Sequence, residues 1–179
     1  MGVTLMIKRL LISVFILFVS LISFEIVNAQ ETITVMNATL PTPRYRLSCI
    51  EDNNSKIYCF GGVPPALNQI VEYTVSIDTL IIKNATLPGG REGIACARDS
   101  STNKIYCFGG AGGAGPTDQI VEYNPFTDVL TIKSATLPTG RAVLSCAENS
   151  QTHKIYCFGG IGANILDSII EYDPVIDNL

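Results

Sequence analysis

The chain has 179 residues, with 12 basic against 16 acidic side chains and a single histidine. Downstream of residue 29 there is no basic cluster, which excludes the electrostatic footprint of a nucleic-acid binder and gives anionic lipid nothing to hold. Once an N-terminal leader is set aside, this length accommodates one modest domain.

The leader comes first in chain order. Lys8 and Arg9 precede the apolar run "LLISVFILFVSLISF" (10–24), and small Ala29 stands just before Gln30. A basic start, an apolar segment and a small residue make a secretory signal peptide over residues 1–29. An uncleaved anchor is the alternative, although the run falls short of the about 20 apolar residues that a span uses. Either way the expected location is secreted or extracellular, at the cell surface, or in the periplasm or envelope of a prokaryote. Beyond the leader no membrane segment is expected. Losing Lys8, Arg9 and Glu25 leaves 10 basic and 15 acidic residues in the part that folds.

From residue 30 onward the chain repeats itself. "KIYCFGG" occurs at 56–62, 104–110 and 154–160, at offsets of 48 and 50 residues. "ATLPTPRYRLSC" (38–49), "ATLPGGREGIAC" (85–96) and "ATLPTGRAVLSC" (135–146) precede it; "QIVEYTVSIDTL" (69–80), "QIVEYNPFTDVL" (119–130) and "SIIEYDPVIDNL" (168–179) follow it. A period near fifty with no helical spacing of apolar residues predicts stacked four-stranded sheets. In each repeat "RLSCIE" and its counterparts pair with "KIYCFGG" through a polar turn, giving a hairpin. "QIVEY" alternates with a period of two, and "TLIIKNATL" or "VLTIKSATL" supplies a fourth strand. The repeats span about residues 42–87, 89–137 and 139–179. "ETITVMNATLP" (31–41) matches a fourth strand and predicts a spare one over 31–40.

A double glycine ending the second strand, a tyrosine closing the third, an aspartate in the next turn and a Pro-x-x-Arg leading into the following repeat together resemble the kelch repeat. The resemblance covers about residues 31–179. It implies an all-β, kelch-type β-propeller with three four-stranded antiparallel blades, either a partial propeller or half of a six-bladed ring. Two departures are visible. Leu80, Leu130 and Leu179 stand where kelch repeats usually carry a tryptophan, and Val75 replaces the proline found at Pro125 and Pro174. Both point to a divergent or prokaryote-like branch. Three blades are fewer than a closed ring uses, so the expectation is a segment of a longer propeller. The alternative is self-association, two chains closing head to tail and exchanging the spare strand.

The glycines Gly61, Gly62, Gly109, Gly110, Gly159 and Gly160 are read as structural, placed where a strand end comes close to its neighbours. Cys49 and Cys59, Cys96 and Cys107, and Cys146 and Cys157 lie on opposite arms of the three hairpins. In an exported chain they are expected to form disulfides within each blade, across Cα atoms about 4.5 Å apart and somewhat strained. The competing reading is that each is a small buried hydrophobe. Without C-x-x-C spacing, and with His153 placed in a turn, no zinc site, metal or other cofactor is expected.

Among kelch-like propellers, the copper oxidases that resemble galactose oxidase need histidine ligands that one His cannot supply. Sialic-acid-processing members use acidic and arginine groups at the channel, and Arg44, Arg91 and Arg141 recur once per repeat. They either bind a carboxylated or sulfated ligand through bidentate contacts or tie neighbouring loops through backbone carbonyls. Glu72, Glu122 and Glu171 are expected to be exposed on the third strands. "GAGGAG" (110–115) lacks the following helix of a dinucleotide site and reads as an extended, mobile loop. With "VPPALN" (63–68) and "IGANILD" (161–167), it differs between repeats, which is where partner recognition would sit. Asn37, Asn53 and Asn84 open N-x-[ST] sequons and are candidate glycosylation sites. The expected function is non-enzymatic binding of a protein or carbohydrate through these loops. The alternatives are a carbohydrate-active enzyme and a purely structural surface repeat.

Overall fold

Each "KIYCF" segment is the second strand of an antiparallel sheet. The computed structural model describes residues 33–179, so the leader expected over 1–29 lies outside the described residues. Met36–Leu179 form one compact unit. In the first repeat β1 (Ser48–Glu51), β2 (Lys56–Phe60), β3 (Leu67–Thr74) and β4 (Thr79–Arg91) lie side by side in that order. The second repeat has β5 (Ala95–Asp99) and β6 (Lys104–Phe108), a small hairpin of β7 (Ala111–Gly112) and β8 (Gly115–Pro116), then β9 (Gln119–Asn124) and β10 (Val129–Thr136). Its main sheet runs β5-β6-β9-β10. The third repeat contributes β11 (Ser145–Asn149), β12 (Lys154–Phe158) and β13 (Ile169–Tyr172), a three-stranded sheet. All pairings are antiparallel, and the sheets are separate rather than closed on themselves.

Four details differ from the sequence expectation, the first being that the third repeat forms a three-stranded sheet where four strands are expected. Residues 33–40 form no strand, and among the described residues no strand pairs with them. β4 continues beyond its repeat as far as Arg91, which pairs with Leu67 after two irregularities in register. "GAGGAG" is not an extended loop; its ends pair as β7 and β8, with Ala111 facing Pro116.

The hairpin register sets the cysteines opposite one another. Cys49 faces Cys59, Cys96 faces Cys107 and Cys146 faces Cys157. All three pairs are disulfides, with Cα atoms 4.1, 4.0 and 4.1 Å apart, and no described cysteine is free. Three intramolecular disulfides fit an oxidising, extracellular environment.

The two faces of the repeated strand meet different neighbours, since side chains alternate across a strand. Tyr58 and Phe60 share one buried cluster with Ile94, Ile105, Cys107 and Tyr123 of the second repeat. Tyr106 and Phe108 do the same with Ile155, Cys157 and Tyr172 of the third. Tyrosine and phenylalanine therefore face the following repeat, while isoleucine and cysteine face the preceding one. The tyrosine closing the third strand inserts between the two aromatics: Tyr123 lies 5.6 Å from Tyr58 and 5.7 Å from Phe60 by ring centroids. Tyr172 lies 5.6 Å from Tyr106 and 5.5 Å from Phe108. Edge-on and tilted aromatic contacts of this kind add about 0.5–1.5 kcal/mol each beyond buried area.

Candidate functional site

Three polar arrangements recur from repeat to repeat, two joining neighbouring sheets and the third lying within a sheet. The first involves the double glycines and the arginines. At Gly61, φ is +68° and a Cβ would sit 2.4 Å from the Arg91 carbonyl oxygen. At Gly109, φ is +61° and the corresponding approach to Arg141 is 2.2 Å. Only glycine fits so close a backbone in that conformation. Gly62 N donates to Arg91 O (2.9 Å), and Gly110 N to Arg141 O (2.9 Å). The arginine side chains extend the chain of contacts. Arg44 donates to Gly61 O (3.3 Å) and Gln69 Oε1 (2.8 Å). Arg91 donates to Gly109 O (3.2 Å) and to Gln119 Oε1. Arg141 donates to Gly159 O (3.0 Å) and Ser168 Oγ (2.9 Å). Arg91 and Arg141 are buried, and burial pulls the Arg91 guanidinium below its usual pKa. The three guanidiniums thus form one hydrogen-bonded column with the glycine corners of all three repeats.

The second arrangement is at the opposite ends of the strands. Asp78, Asp128 and Asp177 take left-handed conformations in the turns after the third strands, which short polar side chains tolerate. Each accepts a hydrogen bond of 3.0 Å from the tyrosine of its own third strand: Tyr73, Tyr123 and Tyr172. Each also accepts a backbone N–H from upstream, respectively that of Asn37 (2.8 Å), Asn84 (3.0 Å) and Ser134 (2.9 Å). Residue 37 therefore takes the position that fourth-strand residues take in the later repeats, although it belongs to no strand. Asn37, Asn53 and Asn84 are all exposed.

The third corrects the expectation for the glutamates. Glu72 is buried and lies between Lys56 Nζ (2.5 Å) and Lys83 Nζ (2.9 Å), with Tyr58 Oη at 3.2 Å. Glu122 repeats this with Lys104, Lys133 and Tyr106. Only Glu171, held by Lys154 and Tyr156, is exposed. Burial by itself would raise the Glu72 and Glu122 carboxyls, but hydrogen bonds from the lysines and, at Glu122, from Tyr106 outweigh it and hold both below the usual range.

Two clefts adjoin this frame. One, of about 280 Å³, is formed where the 88–91 segment meets the β7–β8 hairpin; Pro88, Gly90, Arg91, Gly113, Thr117 and Gln119 are among its walls. Among the described residues that line it there is no carboxylate, imidazole or thiol. The other, of about 300 Å³, lies at the opposite strand ends between Asp52, Asn54, Lys56, Asn103 and the exposed Phe126.

The sole histidine is not isolated in its turn. His153 Nδ1 lies 3.1 Å from Glu148 Oε1 and 3.8 Å from Asp99 Oδ1. Residue by residue, Glu148 and His153 stand where the second repeat has Arg98 and Asn103. That substitution was visible in the aligned repeats, but the approach of Asp99 from the neighbouring sheet was not. A scan against protein-family models and a search of curated proteins both find no match to the chain.

Proposed function

We propose that the chain is an exported, kelch-type propeller module, non-enzymatic, that binds a protein or carbohydrate ligand through the loops between second and third strands. The observation that carries this reading is the cleft between residues 88–91 and the β7–β8 hairpin. It is built from the segment that differs most between repeats, and its walls are largely backbone, with Arg91 as the one charged residue among them and its guanidinium already donating to Gly109 O and Gln119 Oε1. Glycine-rich walls leave peptide N–H and C=O groups within reach of a ligand, which suits recognition by hydrogen bonds rather than by charge. The own-chain partners of Arg91 and Arg141 weigh against a guanidinium clamp on a sialic acid.

Gly113 offers a direct test. A Cβ there would meet nothing within 4 Å, and its φ is not left-handed, so Gly113→Trp fills the cleft without disturbing the frame. Glycan-array and pull-down measurements on the oxidised chain should yield a ligand whose binding Gly113→Trp abolishes at unchanged melting temperature. A ligand captured equally well by both proteins would refute this location.

A further inference from the structure

The boundary between the second and third repeats differs in charge from the boundary before it. In the earlier one the matching positions are Asp52, Arg98 and Asn103, one acid with one guanidinium, and Arg98 Nη1 donates to Asn103 Oδ1 (3.2 Å). In the later one they are Asp99, Glu148 and His153, two carboxylates facing one imidazole. Among the described residues neither Asp99 nor Glu148 has a lysine or arginine ion-pair partner. Asp99 is nevertheless 1% exposed. One donor atom from each of the three residues lies within 4.8 Å of the others.

We propose that Asp99, Glu148 and His153 bind a first-row divalent cation, with Zn²⁺ as the natural probe, and that the ion clips the second and third sheets together. Oxygen and imidazole ligands suit such an ion, which binds them at about 2.0–2.2 Å. Tetrahedral bonds of that length put neighbouring ligand atoms roughly 3.3–3.6 Å apart, and the His153 separations of 3.1 and 3.8 Å bracket this spacing. Asp99 and Glu148 are already oriented. Ser101 N (2.9 Å) and Oγ (2.7 Å) and Thr102 Oγ1 (2.6 Å) donate to Asp99, and Ser100 N (2.7 Å) and Oγ (2.8 Å) donate to Glu148. Outer contacts of this kind fix ligands and raise metal affinity. Ser100 Oγ also lies 3.3 Å from His153 Nδ1, so the fourth position falls to this hydroxyl or to water. The imidazole binds as the neutral tautomer with its proton on Nε2.

The repeat supplies its own control substitutions. His153→Asn and Glu148→Arg each install the residue that the second repeat carries at that position, so the folded frame has a precedent for both. Titration of the oxidised chain with Zn²⁺ should show one site per chain, and the melting temperature should rise by about 5–10 °C at a hundred times Kd. His153→Asn should weaken binding by more than about a hundredfold while leaving the metal-free melting temperature unchanged. Co²⁺ in place of Zn²⁺ should show the intense visible bands of a four-coordinate ion. No binding of Zn²⁺ at millimolar concentration would overturn the proposal. So would binding that His153→Asn leaves intact, or a preference for Ca²⁺ over Zn²⁺, since each removes the imidazole from the site.

Discussion

Replacing Arg91 by alanine should destabilise the fold far more than replacing Arg44, although the two occupy the same position in successive repeats. The Arg91 side chain is 4% exposed and donates to Gly109 O (3.2 Å) and Gln119 Oε1. Hydrogen bonds from a charged donor are worth about 1.5–3 kcal/mol each, and relief from burying the guanidinium returns part of that. A net loss of about 3 kcal/mol follows for Arg91→Ala, and a similar one for Arg141→Ala, which is 2% exposed. Arg44 makes the matching contacts from a half-buried position; there water replaces the lost donors and the cost falls to about 1 kcal/mol. Arg91→Lys keeps the charge but not the fork that spans both acceptors, so it should recover less than half of the loss. In a chain of this size 3 kcal/mol corresponds to a melting-temperature drop of about 6–12 °C. The assay is urea unfolding without reductant, followed by circular dichroism and tyrosine fluorescence, since the chain has no tryptophan. The backbone bond from Gly62 N to Arg91 O survives the substitution, so the variant should still fold. An Arg91→Ala protein within about 0.5 kcal/mol of the parent, or an Arg44→Ala protein less stable than it, would refute the hydrogen-bonded column as a source of stability.

Asp128→Ala strands the Tyr123 hydroxyl, on a side chain that is 0% exposed, and should cost about 2–3 kcal/mol in urea unfolding. Adding Tyr123→Phe should cost less than the sum of the two single changes, because the double variant buries no unpaired hydroxyl. Cys96→Ala with Cys107→Ala opens a closure of 11 residues and should remove about 2–3 kcal/mol; intact-mass measurement of the parent should show the loss of six hydrogens for its three bridges. Glu72 and Glu122 have carboxyls held below their usual range, so their contribution is complete above the unfolded value of about 4.3 and is lost as pH falls through the lower folded values. Glu72→Gln should flatten the acid limb of a stability-versus-pH curve, and an unchanged limb would count against the lysine clamp. Phe158, at 47% exposed, carries the face that Phe60 and Phe108 bury completely, so Phe158→Glu should reduce any self-association seen by light scattering.

The strands and the disulfide register could be read from sequence because both follow from one alternation copied three times. "KIYCF" can present Tyr and Phe to one side and Ile and Cys to the other only as a strand. Once two such hairpins are aligned on their turns, cysteine falls opposite cysteine. What the same alternation hid was the environment of each face. Glu72 alternates with apolar neighbours and so looked like a solvent residue. Its burial depends on Lys56 and Lys83, 16 and 11 positions away in sequence, and only the register Tyr58–Glu72–Ile81 brings them together. The pairing of β7 with β8 was equally hidden, because glycine and alanine carry no pattern that separates a hairpin from an open loop. Residues 33–40 show the converse. They have a fourth-strand sequence without a strand, since a strand needs a partner edge as well as a suitable composition.

A residue that recurs in every repeat with the same partners is accounted for by the frame. Arg91 meets Gly109 and Gln119, Tyr123 meets Asp128, and Glu122 meets two lysines and a tyrosine; a ligand seeking any of these would first have to break a contact already made within the chain. On the proposed binding function, recognition belongs where the repeats disagree. They disagree most at the segments between second and third strands, around the glycine-walled cleft, and at Glu148 and His153, where a guanidinium and an amide give way to a carboxylate and an imidazole. Exchanging residues 111–118 for their first-repeat counterpart should remove ligand binding while leaving the Zn²⁺ titration unaltered. Glu148→Arg should do the reverse, because the two places lie at opposite ends of the same strands and share no contact residue.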